Sequence, residues 1–108
     1  MADYTLKQGD LEPSVTGFLV DSTGLPVNLA TATNVAFRMM GVLNHVEAFS
    51  RPAVIDDAVG GELSYPWQPG DTDLPGVFYA EFVVTWPIGR PQTYPPGGYL
   101  TIAINPKA

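Results

Sequence analysis

A chain of 108 residues is long enough for one domain with a hydrophobic core, and a second domain is not expected. Eleven acidic residues against five basic ones give a formal net charge of −6, which disfavours binding to nucleic-acid phosphates or to an anionic membrane surface. Because cysteine is absent, disulfides, zinc–thiolate sites and thiol nucleophiles are excluded together. We therefore expect a single domain over residues 1–108 that binds neither nucleic acid nor membrane.

Short runs of β-forming residues lie between turns rich in proline and glycine, of which there are eleven each. No segment shows the 3.6-residue period of an amphipathic helix, and Leu29–Thr33 is compatible with one helical turn at most. The ends, residues 1–7 and 105–108, are expected to be short and flexible apart from the strand predicted at the start of the chain. The predicted strands, in chain order, are Tyr4–Lys7, Ser14–Val20, Asn34–Met40, Pro52–Asp56, Glu62–Trp67, Val77–Trp86, Gln92–Tyr94 and Tyr99–Ile104.

Seven or eight short strands joined by frequent turns predict an all-β fold, an immunoglobulin-like antiparallel β-sandwich. A closed β-barrel is the alternative. The sandwich is favoured because the proline-rich stretches Pro66–Pro75 and Pro87–Pro96 suit loops and sheet edges, where a missing backbone N–H costs little.

Alternation along the strands separates an inward face from an outward one, since successive side chains of a strand point to opposite sides. Trp67 and Trp86 both fall on inward positions, so core packing is favoured for the two tryptophans. The other predicted core residues are Val15, Gly17, Leu19, Val35, Phe37, Met39, Leu63, Tyr65, Phe78 and Phe82.

Several apolar residues fall on outward positions, which are usually polar on a solvated sheet. Tyr79 and Val83 share one strand, and Tyr99 and Ala103 lie on its expected neighbour. Grouped in this way they predict an apolar interface patch, in which the tyrosines lose little entropy on binding. Phe18 and Val20 also face outward and predict a second candidate patch.

The segment WPIGRPQTYPPGG, Trp86–Gly98, is stiffened by prolines and carries Arg90 and Tyr94 in an otherwise acidic chain. A stiff loop loses little entropy on docking, so it could be an arm that reaches a neighbouring subunit. The plainer interpretation is an extended hairpin that joins two edge strands.

The order of several segments resembles a known family, the immunoglobulin-like N-terminal domain of phage baseplate upper proteins. The resemblance covers residues 8–104. Its most specific parts are the turn Gly70-Asp71-Thr72 with the following Pro75-Gly76, the strand Ala80-Glu81-Phe82, and Gly98-Tyr99 before the last strand. The other matching segments are VDSTGLPVNLATATNVAFRM, AVIDDAVGGELSYPW and PPGGYLTIAI.

This resemblance implies a structural role in the virion of a tailed phage and no enzymatic activity. The expected partners are other virion proteins, capsid, tail or baseplate subunits, with many copies of this chain assembled in the bacterial host cytoplasm. Baseplate members often continue into long C-terminal extensions, whereas this sequence stops directly after its last strand. Tail or baseplate placement and capsid decoration therefore both stay open.

Residues that could carry catalysis or bind a metal are sparse. His45 lies in the stretch Gly41–Glu47, interpreted as a loop, without other strong ligands beside it in sequence. Asp56-Asp57 and Asp71-Thr72-Asp73 offer oxygens that Ca²⁺ accepts, yet aspartates in turns normally bind their own backbone amides. We therefore predict no catalytic residue, no metal and no cofactor.

A host-surface glycan-binding module is the competing function. Exposed aromatic rings near strand ends stack on sugars in such modules, and Trp67, Trp86, Tyr94 and Tyr99 are the candidates. A glycan binder would show ligand-dependent tryptophan fluorescence as an isolated domain.

Overall fold

The structure is a computed structural model in which residues 2–43 and 46–107 are described. A 3₁₀ turn at Pro87–Gly89 connects two of its strands, and no other helical element occurs in these two ranges. The strands are β1 (Tyr4–Lys7), β2 (Val15–Phe18), β3 (Asn34–Gly41), β4 (Glu47–Pro52), β5 (Val54–Asp57), β6 (Glu62–Tyr65), β7 (Gly76–Trp86), β8 (Arg90–Tyr94) and β9 (Leu100–Asn105).

Two sheets form the sandwich. The larger has the order β1-β9-β7-β3-β4, and the smaller has the order β2-β6-β5. The long strand β7 pairs with β9 along its first half and with β8 along its second half, so β8 and β9 together flank one side of it. All pairings are antiparallel except that of β1 with β9. The predicted all-β immunoglobulin-like sandwich is thus confirmed, and the two separate sheets exclude a closed barrel.

Aromatic rings fill the centre of the sandwich. Phe37 from the large sheet stacks on Tyr65 from the small sheet, with ring centroids 4.5 Å apart and planes 7° apart. Trp67 and Phe82 meet Phe37 edge-on, at 5.7 and 5.3 Å. Such pairs contribute about 0.5–1.5 kcal/mol each beyond the area they bury. The predicted core positions are buried, as strand alternation requires, except for Trp86, which is half-buried.

The predicted strand Pro52–Asp56 is wrong as a single element, because two strands meet there. β4 ends at Pro52, and the N–H of Ala53 donates to the carbonyl of Val35 as the chain passes to the small sheet, where β5 begins. β4 was missed because it is a sheet edge, exposed everywhere except at the half-buried Phe49, and so lacks the alternation that marks a strand.

The chain ends are better ordered than expected. Residues 4–7, assigned both to a flexible end and to a predicted strand, form β1 and pair with β9, which itself includes Asn105. Lys107 Nζ lies 2.9 Å from Asp10 Oδ1, which ties the two ends together. Leu29–Thr33 forms a turn closed by the N–H of Ala32 on the carbonyl of Leu29, without a helix.

Candidate interaction surfaces

The outward face of the large sheet carries a stacked tyrosine pair. Tyr79 on β7 and Tyr99, next to β9, have ring centroids 4.7 Å apart and planes 16° apart. Tyr99 remains 40% exposed and Tyr79 is half-buried. Ala103, on the same face of β9, lies opposite Val77 on β7, which is also exposed. We call Val77, Tyr79, Tyr99 and Ala103 the tyrosine face; it confirms the predicted adjacency of these two strands.

Val83 does not belong to this face, contrary to the prediction of one continuous patch. It lies opposite Thr93 on β8, and Glu81 separates it from Tyr79. Glu81 is buried because Arg38, on β3, pairs with it at 2.9 Å and also with Glu47 of β4 at 2.9 Å. One guanidinium therefore bridges two carboxylates across three strands, and this polar bridge divides the outward face.

Val20 and Tyr94 line a groove of about 520 Å³ between the two sheets, which the sequence did not predict. Phe18 and Val20 are exposed, at 53% and 54%, as predicted. Tyr94 is half-buried and packs against the core, so its ring is an inner wall of the groove. Asp21 at the rim is held by hydrogen bonds from the Thr23 hydroxyl and backbone, which lower its pKa.

The segment that contains Arg90 is a hairpin, as the plainer of the two interpretations predicted, but it joins the edge strand β8 to the central strand β7 instead of two edge strands. β7 and β8 pair from Phe82 with Tyr94 to Trp86 with Arg90, and Pro87–Gly89 form the turn. We call Pro87, Ile88 and Gly89 the hairpin tip. Ile88 is 98% exposed and has φ +67°, a left-handed conformation that a β-branched residue rarely adopts.

At the other end of β7, apolar side chains surround a cavity of about 450 Å³. Leu43 follows β3, and Leu74, Pro75 and Val77 lie around the start of β7. Leu43 is 98% exposed and Leu74 is 69% exposed. We call this the loop-end cavity. The sequence showed Leu43 and Leu74 only as apolar residues in loops, and nothing in their spacing indicated that they meet.

Asp71, considered above as a calcium ligand, is instead part of a buried structural network. Its Oδ2 accepts hydrogen bonds from the Tyr65 hydroxyl and from the N–H of Gln68, at 2.5 and 2.9 Å. Its Oδ1 lies 3.1 Å from Arg51 Nε as an ion pair without a hydrogen bond. Burial and the Asp71 carboxylate raise the pKa of Tyr65. Protein groups thus face both carboxylate oxygens, Oδ2 through two hydrogen bonds and Oδ1 through the ion pair.

Among the other candidate ligands, Asp57 is held by local structure. Asp57 Oδ1 accepts a hydrogen bond from the N–H of Gly60, a turn contact. His45 lies outside the described residues. Within residues 2–43 and 46–107, no group of three or more potential metal ligands comes together. None of the helical structure in these ranges is long and apolar enough to cross a membrane.

The two tryptophans differ in burial and in hydrogen-bond partner. Trp67 is buried and its Nε1 donates to the carbonyl of Pro13 at 2.9 Å. Trp86 is half-buried, its Nε1 donates to Gln92 Oε1 at 3.0 Å, and it borders the hairpin tip. The inward prediction is therefore confirmed for Trp67 and holds only in part for Trp86.

The immunoglobulin-like sandwich defined by these two sheets is shared with a solved structure. CopC from Methylosinus trichosporium OB3b superposes with a TM-score of 0.53 and 12% sequence identity, over 100% of this chain and 88% of that chain. At this identity the likeness shows the fold alone. No protein-family model matches the chain, and no curated protein matches it.

Proposed function

We propose that this chain is a non-enzymatic structural subunit of a tailed-bacteriophage virion that acts through protein–protein contacts. The observation that carries the proposal is the tyrosine face. A stacked tyrosine pair on the outward side of a rigid sheet buries large apolar area at little entropic cost, which is how interface anchors act.

The rest of the structure supports a binding role. The ion-paired Arg38 fixes β3, β4 and β7 relative to one another, so that the outward face is presented on a rigid support. The acidic side chains whose contacts are described hold backbone, hydroxyl, guanidinium or ammonium groups and do not converge on a cleft. A surface preorganised in this way loses little freedom on docking.

The phage assignment rests on the resemblance of residues 8–104 to the baseplate upper protein domain, and the immunoglobulin-like fold agrees with it. In that setting many copies, arranged by the symmetry of the particle, convert modest contacts into a stable layer. The partners are capsid, tail or baseplate proteins, and the site of action is the virion.

A tag-location experiment tests this proposal. A short tag is added after the last residue of the chain, particles are purified, and the tag is located by gold labelling in the electron microscope. Label over the head identifies a capsid decoration protein, and label at the tail or its tip identifies a tail or baseplate component. Unlabelled particles from cells in which the tagged chain is expressed and folded overturn the proposal.

Glycan binding is the second candidate, and Trp86 is the observation that favours it. Its half-exposed ring borders a cavity of about 550 Å³ that also contains Arg90 and Gln92, a mixture of apolar and polar groups that suits a sugar. Trp67 is buried, so its ring is not available to stack on a sugar. Tryptophan fluorescence during titration with host-surface glycans tests it, with Trp86→Phe as the control for the origin of the signal.

A further inference from the structure

Ile88 combines two features that are unfavourable in an isolated domain. Its side chain is 98% exposed, and its backbone adopts φ +67° and ψ 24°, where a branched β-carbon is strained. Asparagine or glycine would fit that conformation better and would leave no apolar side chain in water. A strained, exposed apolar residue at a stiff hairpin tip is the arrangement expected of a group that is buried in a contact.

The loop-end cavity is a matching apolar recess at the opposite end of the same strand. β7 has 11 residues, which at the usual strand rise span about 33 Å. This length exceeds either of the two shorter dimensions of the molecule, which measures 43 × 26 × 24 Å, so β7 follows the long axis. The hairpin tip and the recess around Leu43 and Leu74 therefore lie at opposite ends of an elongated domain.

Charges at the two ends are also complementary. Arg90 directly follows the hairpin tip, and Asp73 directly precedes Leu74 at the recess. Both side chains are exposed, and neither forms an ion pair with another residue in the described part of the chain. An end-to-end arrangement would bring this basic and this acidic residue together beside the apolar contact.

We propose that copies of this chain associate head to tail, with the hairpin tip of one copy seated in the loop-end cavity of the next. The occupant of the cavity is thus a second copy, chosen because the same chain carries both the apolar projection and a recess of about 450 Å³ with opposite charges beside them. Such a contact is heterologous, so it continues into a ring or a filament and does not stop at a dimer. This head-to-tail association does not depend on the virion proposal, because the purified chain alone is enough to form it.

Sedimentation of the purified chain over a concentration series tests the proposal. We expect species larger than a dimer to grow with concentration. Ile88→Asn, which removes the projection, and Leu74→Asn, which makes the recess polar, should each be monomeric at concentrations where the wild type associates. Val59→Asn is the matched control, because Val59 lies in the β5–β6 turn, outside both surfaces, and is 71% exposed, close to the 69% of Leu74. This variant should associate like the wild type.

Mixing the two monomeric variants distinguishes head-to-tail contact from any symmetric one. The Ile88→Asn copy keeps an intact recess, and the Leu74→Asn copy keeps an intact tip. Their equimolar mixture should form a one-to-one dimer and nothing larger, since each pair has one usable contact and two blocked ends. A mixture that stays monomeric, or Leu74→Asn chains that associate by themselves as fully as the wild type, would overturn the proposal.

Charge reversal tests the contribution of Arg90 and Asp73 to association separately from that of the apolar contact. Arg90→Glu should weaken association about tenfold, and adding Asp73→Lys to the same chain should restore most of it. Wild-type protein that remains monomeric up to about 1 mM, where even a millimolar dissociation constant would populate the complex, also overturns the proposal. That result would leave the tag-location experiment unaffected, so failure of this inference and failure of the virion proposal are distinguishable.

Discussion

The hydroxyl of Tyr65 donates a hydrogen bond to Asp71 Oδ2, 2.5 Å away and six residues later in the chain. Both groups are buried, and Asp71 additionally accepts the N–H of Gln68 and pairs with Arg51. The contact closes the loop after β6 against the aromatic core, because Tyr65 also stacks on Phe37. The turn that the resemblance singled out, Gly70-Asp71-Thr72, is thus a structural anchor.

Tyr65→Phe should lower the free energy of unfolding by about 1.5–3 kcal/mol, since a hydrogen bond to a buried carboxylate is lost while the ring stack remains. Denaturant unfolding measured by tryptophan fluorescence gives the value. Tyr94→Phe is the control, because the hydroxyl of Tyr94 makes no hydrogen bond to a residue that the structure describes; its effect should stay within about 0.5 kcal/mol. Equal losses for the two variants would contradict this role of Asp71.

The same contact predicts a loss of stability at alkaline pH. Burial and the Asp71 carboxylate raise the pKa of Tyr65 in the folded state above its ordinary value of about 10. The unfolded chain therefore releases this proton first, so the stabilisation is complete below about pH 10 and declines as pH rises towards the folded-state pKa. Melting temperatures from pH 8 to 11 should fall less steeply for Tyr65→Phe than for the wild type.

Gly61→Ala should be strongly destabilising. Gly61 has φ +67°, and a Cβ there would lie 2.6 Å from the carbonyl oxygen of Leu19, which itself accepts the N–H of Val27. Strain and backbone overlap together should cost more than about 2 kcal/mol. Gly97→Ala is the matched control, because a Cβ at Gly97 meets nothing within 4 Å. Thermal unfolding of the two variants by circular dichroism measures the difference, and similar melting temperatures would contradict the close approach at Gly61.

Ile88→Asn should stabilise the isolated monomer by about 0.5–1 kcal/mol while it removes self-association. Asparagine tolerates the left-handed conformation that strains isoleucine, and the side chain at this position makes no core contact to lose. Dilute samples, at which the wild type is monomeric, should be compared by chemical unfolding. A loss of monomer stability would show that Ile88 contributes to the fold of its own chain.

Replacing both Tyr79 and Tyr99 by serine should prevent incorporation into particles while the domain stays folded. The isolated domain loses the stacking, about 1 kcal/mol, together with the packing of the half-buried Tyr79, while Tyr99 is already 40% exposed. Particle incorporation is measured by immunoblotting of purified virions, and folding by circular dichroism of the purified chain. Val59→Ser is the comparison, as it alters an exposed apolar residue in the β5–β6 turn, away from both candidate patches; unchanged incorporation of the double variant would refute the role of the tyrosine face.

The fold was largely predictable because most strands have one buried face, and a period of two is visible whenever burial alternates. β3, β6 and β7 were found close to their true bounds for this reason. β4 escaped because only Phe49 in it is half-buried. The adjacency of Tyr79 and Tyr99 in the tyrosine face was predictable. The separation of Val83 from this face was not, because it depends on the ion pair between Glu81 and Arg38, and Arg38 lies 45 positions before Val83 in the chain.

Composition and local pattern by themselves determined the class of this protein: one cysteine-free, acidic, all-β domain with a readable core and outward tyrosines. Only the tertiary structure decided which distant residues meet. It placed Arg38 between Glu47 and Glu81, joined Tyr65 to Asp71, and set an exposed Ile88 at the opposite end of β7 from an apolar recess. The physical reason is that alternation reports the burial of each strand separately, while contacts between strands depend on sheet order and register.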